Sequence, residues 1–104
     1  MIERVWSART TRDGAVKYGE HFRNVVLPEL IAIAGYRGAR LLEREADGGI
    51  ELVVVTRWQS LDAIRAFAGE EIDRAVVHVE AAALLSDYDR TVRHFGVVAS
   101  DGVP

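Results

Sequence analysis

The segment Gly35–Ser60, GYRGARLLEREADGGIELVVVTRWQS, constrains this chain most, because it reads as a β-hairpin whose two arms are apolar on both faces. With Asp47-Gly48 at the tip, Arg44 pairs with Glu51, Leu42 with Val53 and Arg40 with Val55 on one face. Glu43/Leu52, Leu41/Val54 and Ala39/Thr56 then fall on the other. The helices of a small domain cover one face of a sheet. The second apolar face asks for another sheet, most simply that of an identical chain, so a homodimer is expected.

A chain of 104 residues is long enough for one core and one domain, here taken as 1–98 with a loose tail over 99–104. Its net charge of −3 is small and evenly spread, with no segment that gathers basic residues, which argues against nucleic acid or an anionic membrane surface as partner. There is no cysteine, hence no disulfide, no thiolate nucleophile and no Cys-ligated metal. The start, MIERVWSA, is strand-like and lacks the basic-then-apolar pattern of a signal peptide. No apolar run approaches the ~20 residues of a membrane span. The expected location is cytoplasmic.

Residues 2–9 alternate, with Ile2, Arg4, Trp6 and Ala8 on one side, and form a first strand. From about Asp13 the positions Ala15, Tyr18, Phe22, Val25/Val26, Leu30 and Ile33 recur at helical spacing, up to Gly35. Pro28 predicts a kink near Val26–Leu27. After the hairpin Ser60 caps a third helical piece, which Gly69 ends or bends. A further helix is expected over Glu70–Leu85, from Ile72, Ala75, Val76, Val79 and Ala83, and a fourth strand over Asp87–Val98. The order β-α-β-β-α-β is an α+β, ferredoxin-like arrangement, with a four-stranded antiparallel sheet covered by helices on one face only.

Four short stretches then carry a resemblance. Val5-Trp6-Ser7, Gly35-Tyr36-Arg37-Gly38, Thr56-Arg57-Trp58-Gln59-Ser60 and Ala66-Phe67-Ala68-Gly69 together resemble the antibiotic biosynthesis monooxygenase domain, over about Ile2–Val98. The resemblance implies a dimeric α/β barrel and cofactor-free oxygenation of an activated aromatic or quinol-like substrate. A related branch of that fold degrades haem with an Asn on strand one, a Trp on the helix after strand three and a His beyond it. The corresponding positions here hold Ser7, Phe67 and Val77, with His78 one residue out of step, so that triad is absent as it stands.

Each candidate residue has a plainer role open to it. His94, in strand four, suits proton transfer near neutrality or a place at the dimer seam. Arg57 suits an anionic oxygen, or else an ion pair across a dimer with Glu43, Glu45 or another carboxylate. Ser7, matched to a position that points into the cleft between helices and sheet, completes the catalytic candidates. Tyr18, Phe22, Trp58, Phe67 and His78 are candidates for lining that cleft, with core packing as the plain alternative for each aromatic. Trp58 is expected opposite Arg37. His21, His78 and His94 are scattered without a ligand spacing, so no metal is expected, and the resemblance implies no cofactor. The competing reading is a non-catalytic dimer that binds a small ligand or serves in stress.

Overall fold

The computed structural model describes residues 1–102. Strand β1 (Ile2–Thr10) runs along the middle of the sheet and pairs antiparallel with β3 (Gly49–Trp58), which pairs with β2 (Tyr36–Ala46). On the other side of β1 lie two short strands, β4 (Asp87–Tyr88) and β5 (Arg93–Gly96). The order β2-β3-β1-β4, with β5 also on β1, is that of the expected ferredoxin-like α+β fold. The expected fourth strand is broken in two, making five strands, because residues 90–92 leave β1 to bond the loop at 73–75 instead.

The hairpin register holds from Ala46/Gly49 through Ala39/Thr56 as the sequence predicts, on a turn in which Asp47 and Gly48 have φ of 50° and 78°. It fails at the far end. A bulge at Arg37 puts Tyr36, not Arg37, opposite Trp58. Tyr36 meets the Trp58 ring edge-on, while Arg37 reaches out to Gln59.

Helix α1 (Arg12–His21) starts at Thr11, whose hydroxyl accepts from the Gly14 amide. It widens into a π-helical turn over Phe22–Val26 before α2 (Leu27–Ile31). That turn is the predicted disturbance ahead of Pro28, which offers no amide to the Asn24 carbonyl; the wider turn also relieves the ring's clash with it. Gly35 (φ 92°) turns the chain into β2, where a Cβ would lie 2.5 Å from that of Ala63. Helix α3 (Leu61–Ala68) is capped by Ser60 and ended by Gly69 at φ 83°, both as expected.

The expected helix over 70–85 shrinks to one turn, α4 (Val79–Ala82). Residues 70–78 are held instead by strand-like bonds, Ala75 N–H to the Arg90 carbonyl and Val92 N–H to that of Asp73, and by the Arg4 side chain on the Ile72 and Arg74 carbonyls. Once those groups are satisfied from outside, nothing favours the helical alternative.

The core lies between the helices and one face of the sheet. Trp6, Ala8, Tyr18, Phe22, Leu52 and Val54 form its larger part, and Leu30, Trp58 and Ile64 a second part under α2 and α3. The other face carries Val5, Ser7, Val53, Val55, Arg57, Leu42 and Phe95, and among the described residues no helix covers it. The expected tail over 99–104 has no regular structure through residue 102 and then passes outside the described residues. Among the described residues no helix is long and apolar enough to cross a membrane.

Candidate functional site

Strand register decides which side chains meet. On the helix side, one row across the sheet reads Ala39, Thr56, Arg4, His94, and the next Leu41, Val54, Trp6. Above these rows pack Tyr18 of α1, Val26 and Leu30 of the π-turn and α2, Phe67 of α3 and the loop residues Val76 and His78. Together with Glu29 and Val92 they enclose a cleft of about 60 Å³. Its walls are mostly apolar, and its polar groups are Arg4, Thr56, Glu29, His78 and the Tyr18 phenol.

Arg4 is 95% buried, given its 5% relative exposure. Its Nη1 donates to the Ile72 carbonyl and to His94 Nε2 at 2.9 Å, and Nη2 donates to the Arg74 carbonyl at 2.9 Å. The guanidinium also stands over the Phe67 ring at 5.7 Å. Burial pulls its pKa down to about 10, against a smaller upward pull from Asp73. His94 Nδ1 faces Asp73 Oδ1 at 3.3 Å. The tautomer is thereby fixed: Nδ1 carries the proton toward the carboxylate and Nε2 accepts from Arg4. Burial, then the neighbouring Arg4 charge, lowers the His94 pKa, while Asp73 opposes them.

At the outer rim His78 Nε2 meets Glu29 Oε2 at 3.0 Å, and the His21 ring packs edge-on against His78 with centroids 5.6 Å apart. His21 Nε2 is buried without a hydrogen-bond partner. Burial first, then His78, lowers the His21 pKa against upward pulls from Glu80 and Glu29. Burial raises the Tyr18 phenol to about 12, so it remains a neutral donor at neutral pH. Among the described residues no group of three or more His, Cys, Asp or Glu side chains is placed to hold a metal ion.

Of the candidate residues, Tyr18, Phe67 and His78 do line this cleft. Phe22 lies in the core beside it. Trp58 stands behind it, fully buried, donating from Nε1 to Thr56 Oγ1 at 2.8 Å and stacked on Phe67 with centroids 5.7 Å apart. His78 is not on a helix flank, as its expected place in a helix over 70–85 required, but in extended conformation at the cap of α4.

Ser7 does not point into the cleft. It pairs with Val53 on the uncovered face, one residue out of phase with Trp6 and Ala8. Arg57 lies on that same face, beside Glu3 Oε2 at 3.5 Å with its Nε left without a hydrogen bond. With Arg37, Arg40, Phe95 and residues 96–100 it borders a broad depression of about 620 Å³. His94 turns the other way, toward Arg4 and the helices, so its expected place at the seam between sheets is corrected. Glu43 and Glu45, considered as partners for Arg57 across a dimer, both bond Arg12 within the chain.

Arg4, Thr56 and Glu29 were missed. The first two carried a signal: each is a polar residue in the buried phase of an alternating strand, between Ile2 and Trp6 and between Val54 and Trp58.

The two half-buried histidines, His94 and His21, predict an acid-sensitive fold. An unfolded histidine titrates near about 6.5, whereas native His94 and His21 hold out for fewer protons. Stability is therefore full above that value and falls as pH drops from about 6.5 through the native pKa values. Charged groups facing His94 are Arg4 and Asp73; those facing His21 are His78, Glu29 and Glu80. Urea midpoints between about pH 7.5 and 5.5, above most carboxylate titration, should decline in the native protein and less steeply in His94→Gln.

No protein-family model matches the chain, and no curated protein matches it in sequence. Solved structures do match. A Bacillus cereus protein assigned provisionally to the antibiotic biosynthesis monooxygenases aligns over 100% of this chain and 97% of its own, with TM-score 0.67 and 17% identity. The haem degrader MhuD of Mycobacterium tuberculosis, with two haems in its active site, aligns over 98% and 100%, at TM-score 0.64 and 22% identity. A Streptomyces coelicolor monooxygenase in complex with nanaomycin D aligns over 99% and 91%, at TM-score 0.60 and 14% identity. The chain has the fold of the antibiotic biosynthesis monooxygenase structures. At these identities the likeness establishes the fold and leaves the reaction to be argued from the site.

Proposed function

We propose that this chain is a homodimeric, cofactor-free monooxygenase of the antibiotic biosynthesis type, acting in the cytoplasm on a flat aromatic or quinol-like molecule held in the inner cleft. The observation that carries the reading is the cleft itself, an aromatic and apolar slot with a few polar groups between sheet and helices. In such chemistry the ionised substrate reduces oxygen directly. For an anthrone-type methylene, one oxygen atom of O2 becomes the new carbonyl and the other leaves as water with the two methylene hydrogens. The protein then has to exclude water, orient the ring and steady the charge that forms. Tyr18 and Phe67 supply walls for the ring; Arg57 and Ser7 belong on this reading to the face that meets the second copy.

The cleft's 60 Å³ is smaller than the roughly 150 Å³ that accepts a benzene ring, so substrate entry requires the rim residues Val76 and His78 to move outward. Residues 76–78 lie outside helix and strand, while 72–75 stay tied to Arg4 and to residues 90–92. Oxygen uptake on incubation with dihydroxynaphthalenes and anthrones is the test. Uptake above the buffer rate, reduced at least about tenfold in Phe67→Ala, is expected; buffer rates across the panel would overturn the reading.

A non-catalytic binding dimer is the second reading. It is favoured by the one carboxylate at the cleft, Glu29, being tied to His78 rather than free as a base. Ring binding without oxygen uptake would establish it. Haem is served poorly, because the His78 Nε2 that a haem iron would need bonds Glu29. No Soret shift is expected on adding haemin.

A further inference from the structure

Arg4 poses a charge problem that the fold does not solve. A guanidinium 95% buried ordinarily has a carboxylate against it, since burial strips the charge of its hydration. Arg4 has two backbone carbonyls and a neutral imidazole nitrogen. Asp73, whose charge bears on Arg4, sits on the far side of His94 and is mostly exposed. Three of the five guanidinium N–H groups are used in these bonds. The remaining donors belong to a side chain that lines the cleft, on the row shared with the Thr56 hydroxyl.

We propose that Arg4 is the seat for an anionic oxygen of the ligand, a carboxylate or an ionised phenol or enol on an aromatic ring, with His94 and Asp73 as positioning residues that hold the guanidinium fork. This rests on the inner cleft being the ligand site and narrows the substrate class to aromatic anions. The anion supplies the counter-charge that the chain omits, and the ring lies against Phe67, the face Arg4 already overhangs. Glu29 does not contest the place, because it is held at the rim by His78. His94 must stay neutral for the arrangement to stand. A proton on Nε2 would set two cations face to face at 2.9 Å and remove the acceptor that fixes Nη1.

Benzoate and benzamide, alike in shape and different in charge, are the probes. Calorimetry with the intact protein reads binding whether or not either compound is oxidised, so failure here is distinct from failure of the oxygenase reading. Benzoate is expected to bind at least about tenfold more tightly than benzamide, a gap near about 1.4 kcal/mol. The preference should vanish in Arg4→Gln, fall in His94→Gln and persist in Arg40→Gln on the uncovered face. Should Arg4→Gln fail to fold, ring-nitrogen shifts of His94 in the native protein keep the test open: they should move on titration with benzoate and stay fixed with benzamide. Equal affinities, no binding of benzoate, a preference unchanged in Arg4→Gln or lost in Arg40→Gln, or a silent His94 would each overturn the proposal.

Discussion

Leu42→Lys is expected to leave the folded chain intact and to break its pairing with a second copy. Leu42 sits on β2 at the sheet edge, 43% exposed, so a lysine there costs the isolated chain little. Its row on the uncovered face runs Leu42, Val53, Ser7, and the adjoining row Arg40, Val55, Val5. If two such faces close on each other, the lysine is buried beside Arg40, with Glu51 of the adjoining row already held by Arg44, and symmetry repeats the cost in the partner. Dimer dissociation should rise at least about 100-fold, near about 2.7 kcal/mol. Urea unfolding measured at dilution, where both proteins are monomeric, should be almost unchanged. A dimer as tight as the native one in Leu42→Lys would show that copies meet elsewhere.

The largest effect on stability is expected from Trp58→Ala. Trp58 is fully buried, bonded to Thr56, stacked on Phe67 and met edge-on by Tyr36, with Leu30 and Ile64 as its buried neighbours. Removing such a side chain costs about 3–5 kcal/mol, and about 5–15 kcal/mol is the whole stability of a typical domain. The melting temperature should fall by at least about 15 °C. The damage is not confined to the core, because Phe67 loses the ring behind it and Thr56 a donor. A variant that still folds should bind aromatic probes more weakly. Trp58→Phe, which keeps the stack and loses the hydrogen bond, should fall well short of that loss.

The hairpin and the element order were legible because they are local: side-chain alternation and an Asp-Gly tip fix nearly every pair along β2 and β3. The register went astray at Tyr36, where the bulge inserts Arg37 and where Gly38, at φ 138°, is the residue that marks it. Residues 70–78 were illegible for a different reason. Ile72, Ala75, Val76 and Val79 carry a helical period, yet the carbonyls of Ile72 and Arg74 are claimed by Arg4, about seventy positions earlier in the chain, and the segment pairs with 90–92. No window along the sequence contains that competition.

The site was half legible. Tyr18 and Phe67 follow from helical spacing, whereas the split of Ser7 and Arg57 from His94 follows from which phase of each strand faces the helices. The alternation Ile2, Arg4, Trp6, Ala8 already placed an arginine in the apolar phase of β1. That one charge in an apolar phase marks the cleft, which Ser7, in the opposite phase, does not reach.

Sedimentation equilibrium of the unaltered protein at micromolar concentration tests most directly whether the sheet works with two faces, one holding ligand under the helices and one meeting a second copy. A single species of twice the chain mass is expected, giving way to the chain mass in Leu42→Lys. A monomer at that concentration would contradict the pairing of uncovered faces and the homodimeric enzyme proposed from it.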